Sequence, residues 1–140
     1  MMKISIIILA AGKGTRMDSE TPKVLHKLNH KSLIKRVVET SMQLNPLKIV
    51  IVIGYKKELI KKELKNYTQL EYATQLEQKG TGHAVKMCFD NLKDFTGDVL
   101  ILSGSITISE NGNIFCVGTP PDIVRIWNVI GISMSSLDLK

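Results

Sequence analysis

Ile4-Ser5-Ile6-Ile7-Ile8-Leu9-Ala10-Ala11-Gly12-Lys13-Gly14-Thr15-Arg16-Met17 stands close to the start of the chain, and the architecture follows from it. Ile4 to Leu9 is a run rich in β-branched isoleucine that ends in a glycine-containing loop, as expected of a strand covered on both faces. In an open parallel sheet the ligand crevice lies at the carboxyl ends of the strands, where loop amides approach a phosphate if side chains do not obstruct them. Gly12 and Gly14 supply that clearance. Arg16 and Lys23, the latter in Pro22-Lys23, add two cations that can straddle a triphosphate and stabilise charge on a departing pyrophosphate.

Outward from this stretch the strand signature recurs. Lys48 to Ile53 repeats it and ends at Gly54, Asp98 to Leu102 ends near Gly104, and Leu70 to Thr74 is a weaker candidate. Between the first two, Leu33, Ile34, Val37, Val38 and Met42 recur at helical spacing behind a capping Ser32. A second helix is expected over Glu58 to Asn66. A third is expected over about Gly82 to Leu92, with Ala84, Val85, Cys88, Phe89 and Leu92 as its apolar stripe. Strands alternating with helices imply right-handed crossovers, hence an α/β fold with a Rossmann-like doubly wound, mainly parallel sheet.

Two commoner phosphate loops fail on spacing. The dinucleotide fingerprint needs a third glycine where Met17 stands, and the P-loop counted from Gly12 needs Gly-Lys-Ser/Thr from position 17. A plain glycine turn from strand to helix would account for two glycines, though less easily for two cations and the strand before them.

The 140 residues, 44% of them apolar, are enough for one domain with a sizeable core. A net charge of +6 suits a polyanionic partner but does not choose one. Lys57, Lys61 and Lys65 recur every four residues opposite Leu59, Ile60 and Leu64, which reads as a solvated helix face. Aromatic residues make up only 5% of the chain and are not interleaved with basic ones, so nucleic acid is not the expected partner. Cys88 and Cys116 lack metal-site spacing and fit ordinary thiols in a reducing compartment. The Met-Met-Lys start before an apolar run imitates a short secretory signal, but a buried strand reads the same way. No stretch approaches the ~18 apolar residues of a membrane span, so a cytoplasmic location without membrane contact is expected.

The run Leu9 to Met17, with Ser19 and Pro22-Lys23-Val24-Leu25-His26, resembles the signature of the sugar-nucleotidyltransferases. Within them it is most similar to the bacterial uridylyltransferases that make UDP-N-acetylglucosamine, in which the pyrophosphorylase domain precedes an acetyltransferase domain. A second block, Gln75-Leu76-Glu77-Gln78-Lys79-Gly80-Thr81-Gly82-His83-Ala84-Val85, resembles the segment by which that family recognises uracil. The chemistry agrees, since a glutamine amide offers a donor and an acceptor to a base edge, and Gly80 and Thr81 allow backbone and hydroxyl contacts. His83 reads as a packing residue near a helix start rather than a general base, because phosphoryl transfer needs little beyond positioning and electrostatics.

The resemblance implies a magnesium-dependent reaction of UTP with N-acetylglucosamine 1-phosphate, giving UDP-N-acetylglucosamine and pyrophosphate. It implies nucleotide contacts at Leu9, Ala10, Ala11, Gly12, Gly14, Thr15, Lys23, Gln75, Gly80 and Thr81, with Arg16 and Lys23 as electrostatic catalysts and UTP or a UDP-sugar as ligand. Where the family places a Gly-Asp pair whose carboxylate holds magnesium, this chain has Gly104-Ser105. A neutral hydroxyl is a poor substitute for an anionic ligand to a hard dication. Ile106-Thr107-Ile108-Ser109 also replaces the family's proline and apolar residues. His30 stands where glycine is usual, Tyr55 where histidine is common, and Ser103 where tyrosine is common.

Beyond that point the composition changes. Of the 32 charged residues, 28 precede residue 111, and Gly112, Gly118, Pro120-Pro121 and Gly131 interrupt short apolar stretches without a clean period. Residues 1–104 are therefore expected to form the nucleotide-binding portion and 105–140 a divergent tail, in which Asn111 to Lys140 form either two short strands at the sheet edge or an unpacked or substituted end. The expectation is a truncated copy without a metal ligand, inactive or weakly active. The alternatives are a nucleotidyltransferase that uses Asp98 or Glu110 on another sugar phosphate, a non-catalytic nucleotide-binding or interaction module, or a remnant without a role.

Overall fold

The structure, a computed structural model, describes residues 3–12, 20–104, 106–108 and 114–116, the last two stretches as backbone only. β1 (Ile4–Leu9) is followed by a single 3-10 turn (Lys23–Leu25), the short pair β2 (Lys27–Leu28) and β3 (Lys31–Ser32), then α1 (Leu33–Gln43) and β4 (Lys48–Ile53). Next come α2 (Lys57–Glu63), β5 (Leu70–Thr74), α3 (Thr81–Lys86), α4 (Phe89–Leu92) and β6 (Asp98–Ser103). β7 (Ile106–Ile108) and β8 (Ile114–Cys116) complete the described elements.

β1, β4, β5 and β6 form one parallel sheet in the order β5-β4-β1-β6. The chain moves outward from β1 to β4 and β5, then returns to the other side of β1, so the strand order reverses between β1 and β6. Such a switch point opens a crevice at the carboxyl ends of the strands.

Successive strand residues face opposite sides, and the two sides bury different helices. Ile6, Ile8, Ile51 and Ile53 pack with Ile34, Val37 and Val38 of α1 and Ile60 of α2. On the other face Ile7, Val50, Val52 and Val99 pack with Ala84, Val85, Cys88 and Leu92 from α3 and α4. Ile6, Ile7 and Ile8 are completely buried, each contributing roughly 1.5–3 kcal/mol relative to an exposed side chain. Burial on both faces explains why β1 and β4 read as unbroken apolar runs rather than alternating ones.

α1 begins where Ser32 predicts it: the Oγ accepts a hydrogen bond from the Lys35 amide at 3.3 Å, satisfying one of the donors left open at a helix start. β2 and β3 are joined through Asn29 (φ 52°) and His30 (φ 65°), both left-handed as a two-residue hairpin turn of type I′ requires. Glycine would hold position 30 in this conformation without a Cβ penalty.

Three expectations change. The second helix is shorter than Glu58 to Asn66, since it starts at Lys57 and its last regular residue is Glu63. The third divides into α3 and α4 around Met87 and Cys88, where the Cys88 amide bonds the Val85 carbonyl three residues back. The apolar stripe survives that tightening, because Ala84, Val85, Cys88 and Leu92 stay buried. Third, β6 runs one residue beyond Leu102, to Ser103. β7 and β8 pair antiparallel with each other, with β7 lying against α1. The remaining tail residues, including Pro120-Pro121 and Gly131, lie outside the described residues.

Candidate functional site

The ends of β1, β4 and β5 converge at one edge of the sheet. Ala10 continues from β1 by donating its amide to the Val52 carbonyl at 2.8 Å, and Ala10 and Ala11 are both buried. The Ala11 carbonyl accepts the Tyr55 amide at 3.2 Å and the Gln78 side-chain amide at 2.9 Å. Gln78 thus ties the segment after β5 to the loop after β1.

Gly54 makes this convergence possible. A Cβ there would stand 2.5 Å from the Gln75 carbonyl oxygen and 3.3 Å from the Ala11 Cβ. Gly104 does the same between β1 and β6: its amide donates to the Leu9 carbonyl at 2.8 Å, and a Cβ would lie 2.8 Å from Val24 Cγ1. Val24 is buried, so the 3-10 turn is anchored at the β1–β6 switch point, with half-buried Lys23 as its first residue. Gly12 differs from both, since a Cβ there would meet nothing within 4 Å among the described residues.

Of the expected site residues, the structure places Leu9, Ala10, Ala11, Gly12, Lys23, Gln75, Gly80 and Thr81. Gly14, Thr15 and Arg16 lie outside the described residues, as does Ser105. Gln75 is 2% exposed. Its amide nitrogen lies 3.2 Å from the Gly80 carbonyl oxygen and 2.9 Å from His83 Nδ1, so its donors are used inside the protein. Gly80 holds φ at 98°, a conformation that glycine adopts without a Cβ penalty, and its carbonyl also accepts the Ala84 amide at the start of α3. Leu76, beside Gln75, is 84% exposed.

Among the described residues no three His, Cys, Asp or Glu side chains are grouped to hold a metal ion. Asp98, one alternative ligand, pairs with Ile4 at the amino end of β6, roughly 17 Å of strand away from the crevice. Glu110 lies outside the described residues. Cys88 is no nucleophile, since burial pushes its thiol up to about 12 and the thiolate is the reactive form.

A second concavity, about 380 Å³, is lined by Lys35, Lys62, Lys65 and Glu63 between α1 and α2. Lys35 pairs with Glu63 at 3.5 Å. Among the described residues no helix is long and apolar enough to cross a membrane.

Comparison with known proteins decides the family, because the nucleotidyl transferase family model matches residues 5–115. The chain belongs to the nucleotidyl transferase family. That match takes in the loop after β1, the 75–81 segment and the switch point. A protein of Picosynechococcus sp. named bifunctional protein GlmU is 47% identical over 105 residues, covering 75% of this chain and 23% of the relative. Its namesake in Acaryochloris marina is 42% identical over 111 residues, covering 79% and 24%. The chain therefore spans about a quarter of the length of these relatives. Among solved structures, HddC from Yersinia pseudotuberculosis complexed with GMP-PN aligns with a TM-score of 0.64 at 21% identity over 74% of this chain and 48% of that one. A nucleotidyl transferase from Methanothermobacter thermautotroptrophicus aligns at 0.60 and 18% identity, covering 74% and 50%. These likenesses confirm the mainly parallel α/β fold.

Gln78, Tyr55 and Gly54 stand in the sequence without a signal for the contacts that join the strand ends. Gln78 sits inside the recognised block, but its partner Ala11 is 67 residues away, and no periodicity encodes that contact.

Proposed function

We propose that this chain is the nucleotide-binding portion of a UDP-N-acetylglucosamine pyrophosphorylase-like nucleotidyltransferase, binding UTP or a UDP-sugar with little or no turnover. Residues 1–104 carry the nucleotide site and 105–140 form a divergent tail. In this reading Leu9, Ala10, Ala11, Gly12, Gly14 and Thr15 lie along the nucleotide and its phosphates, with Arg16 and Lys23 neutralising them. Gln75, Gly80 and Thr81 meet the base. The observation that carries the reading is the Gln78 bond to the Ala11 carbonyl, which holds the two motif-bearing segments at one end of the sheet.

In the reaction of the resembled family, a phosphate oxygen of N-acetylglucosamine 1-phosphate bonds to the α-phosphorus of UTP while the bond to the β-phosphate breaks, and pyrophosphate departs. Catalysis of this kind is positioning and electrostatic stabilisation, and Ser105 withholds a carboxylate from it. Losing one strong transition-state contact costs roughly 10²–10³ in rate. Ser105 in the place of the family's metal-holding carboxylate favours binding without turnover over an active enzyme with substitute ligands.

The test has two arms. Gln75→Ala should weaken UTP more than inorganic triphosphate, and equal losses would remove base recognition from Gln75. Pyrophosphate release should stay near background for the natural chain with saturating UTP, magnesium and N-acetylglucosamine 1-phosphate. Robust release would overturn the binding-only reading.

A further inference from the structure

His83 lies in α3, two residues beyond the segment read as base-contacting, and its ring touches the amide of Gln75. The roles of the atoms follow from their chemistry. The Gly80 carbonyl can only accept, so the Gln75 group 3.2 Å from it is the NH₂ group. The same nitrogen lies 2.9 Å from His83 Nδ1, so Nδ1 is the acceptor and the ring carries its proton on Nε2. Two acceptors therefore hold the two amide hydrogens, and the carbonyl oxygen is turned the other way. Among the described residues that oxygen has no hydrogen-bond partner.

We propose that His83 is a positioning residue that makes Gln75 a one-way reader, presenting only an acceptor and so selecting bases that offer a ring N–H donor. The proposal rests on the uridine-nucleotide reading above and adds to it the source of selectivity. Uracil carries a proton on N3, whereas cytosine N3 is an acceptor that would face the Gln75 oxygen lone pair to lone pair. A site whose polar groups are committed in this way discriminates strongly, because the wrong partner leaves them unpaired. Without His83, one amide hydrogen loses its acceptor. Only the Gly80 carbonyl then opposes turning of the amide, so N–H is offered outward more often and cytosine gains a partner.

The experiment measures dissociation constants of UTP, CTP and inorganic triphosphate for the full chain, His83→Ala and His83→Asn. The asparagine oxygen can occupy the Nδ1 position and accept. The natural chain should prefer UTP to CTP. His83→Ala should shrink that preference by about tenfold with triphosphate affinity unchanged, the scale of one lost discriminating hydrogen bond, and His83→Asn should retain it.

An unchanged preference in His83→Ala, or equal weakening of all three ligands, would overturn the proposal, the latter leaving His83 a merely structural role. If the natural chain binds triphosphate without distinguishing UTP from CTP, base reading by Gln75 fails and the proposal with it. If it binds none of the three, the nucleotide-site reading itself fails. Nitrogen-15 NMR of labelled histidine in the natural chain provides a check that requires no variant. An unprotonated Nδ1 on His83 is expected, and an Nδ1–H tautomer would overturn the assignment.

Discussion

Gly54→Ala probes the convergence of strand ends directly. The new methyl group would sit 2.5 Å from the Gln75 carbonyl oxygen, inside any normal carbon–oxygen contact, and the obstacle is backbone rather than a flexible side-chain tip. Relief requires β4 and β5 to part at their carboxyl ends, where the Gln75 amide donates to the Ile53 carbonyl at 2.8 Å. Overpacking of this kind costs roughly 1–3 kcal/mol, and weakening that hydrogen bond adds about 1 kcal/mol. The expected loss is roughly 2–4 kcal/mol, or a drop of about 1–2 M in the urea midpoint at an m-value near 2 kcal/mol/M. Gly12→Ala is the control, since its methyl group meets none of the described residues within 4 Å; it should change stability by less than about 0.5 kcal/mol while weakening inorganic triphosphate. If Gly54→Ala proves as stable as the natural chain, close packing of the strand ends is not what assembles the site.

His30→Gly should stabilise the protein by about 0.5–1 kcal/mol, because His30 holds φ at 65° where a β-carbon is penalised and glycine is not, less glycine's larger entropy loss; a lower thermal midpoint would show the hairpin relaxes differently. Glu39 accepts hydrogen bonds from Lys31 and from the Tyr67 hydroxyl, both at 2.7 Å, and these partners hold its carboxyl below the usual 4.5. A depressed carboxylate contributes stability above its unfolded value and loses it as pH falls through the lower folded one. Tyr67→Phe should therefore cost about 0.5–1 kcal/mol at pH 7, shrinking below pH 4.5 as Glu39 protonates, and a cost independent of pH would remove Glu39 from the effect.

Strands were the most legible part of the fold for a physical reason. β1 and β4 have the limits their near-continuous apolar runs predict, since both faces are buried; β5, at the sheet edge with Glu71 and Tyr72 half-buried and Thr74 exposed, was the weaker signal but keeps its expected limits. β6 runs one residue further than expected because Ser103 still pairs with Leu9. The division between α3 and α4 was invisible, as a local tightening at Cys88 leaves the apolar stripe on the same face. Residue types in the glycine loop and the 75–81 block pointed to the site, because clearance, cations and a base-reading amide are local chemistry. What assembles it was not legible: Gly54 has its reason in atoms of Ala11 and Gln75, and the commitment of the Gln75 donors to Gly80 and His83 appears only once α3 is in place.

A nucleotide site at the carboxyl ends of β1 and β5 can be located by amide chemical-shift mapping of the nitrogen-15-labelled chain during a UTP titration. The largest shifts should fall on Gly12, Gly14, Gln75, Gly80 and Thr81, with inorganic triphosphate reproducing those of the glycine loop but not those of residues 75–81. Shifts centred instead on Lys35, Lys62 and Lys65, around the basic concavity between α1 and α2, would contradict the account.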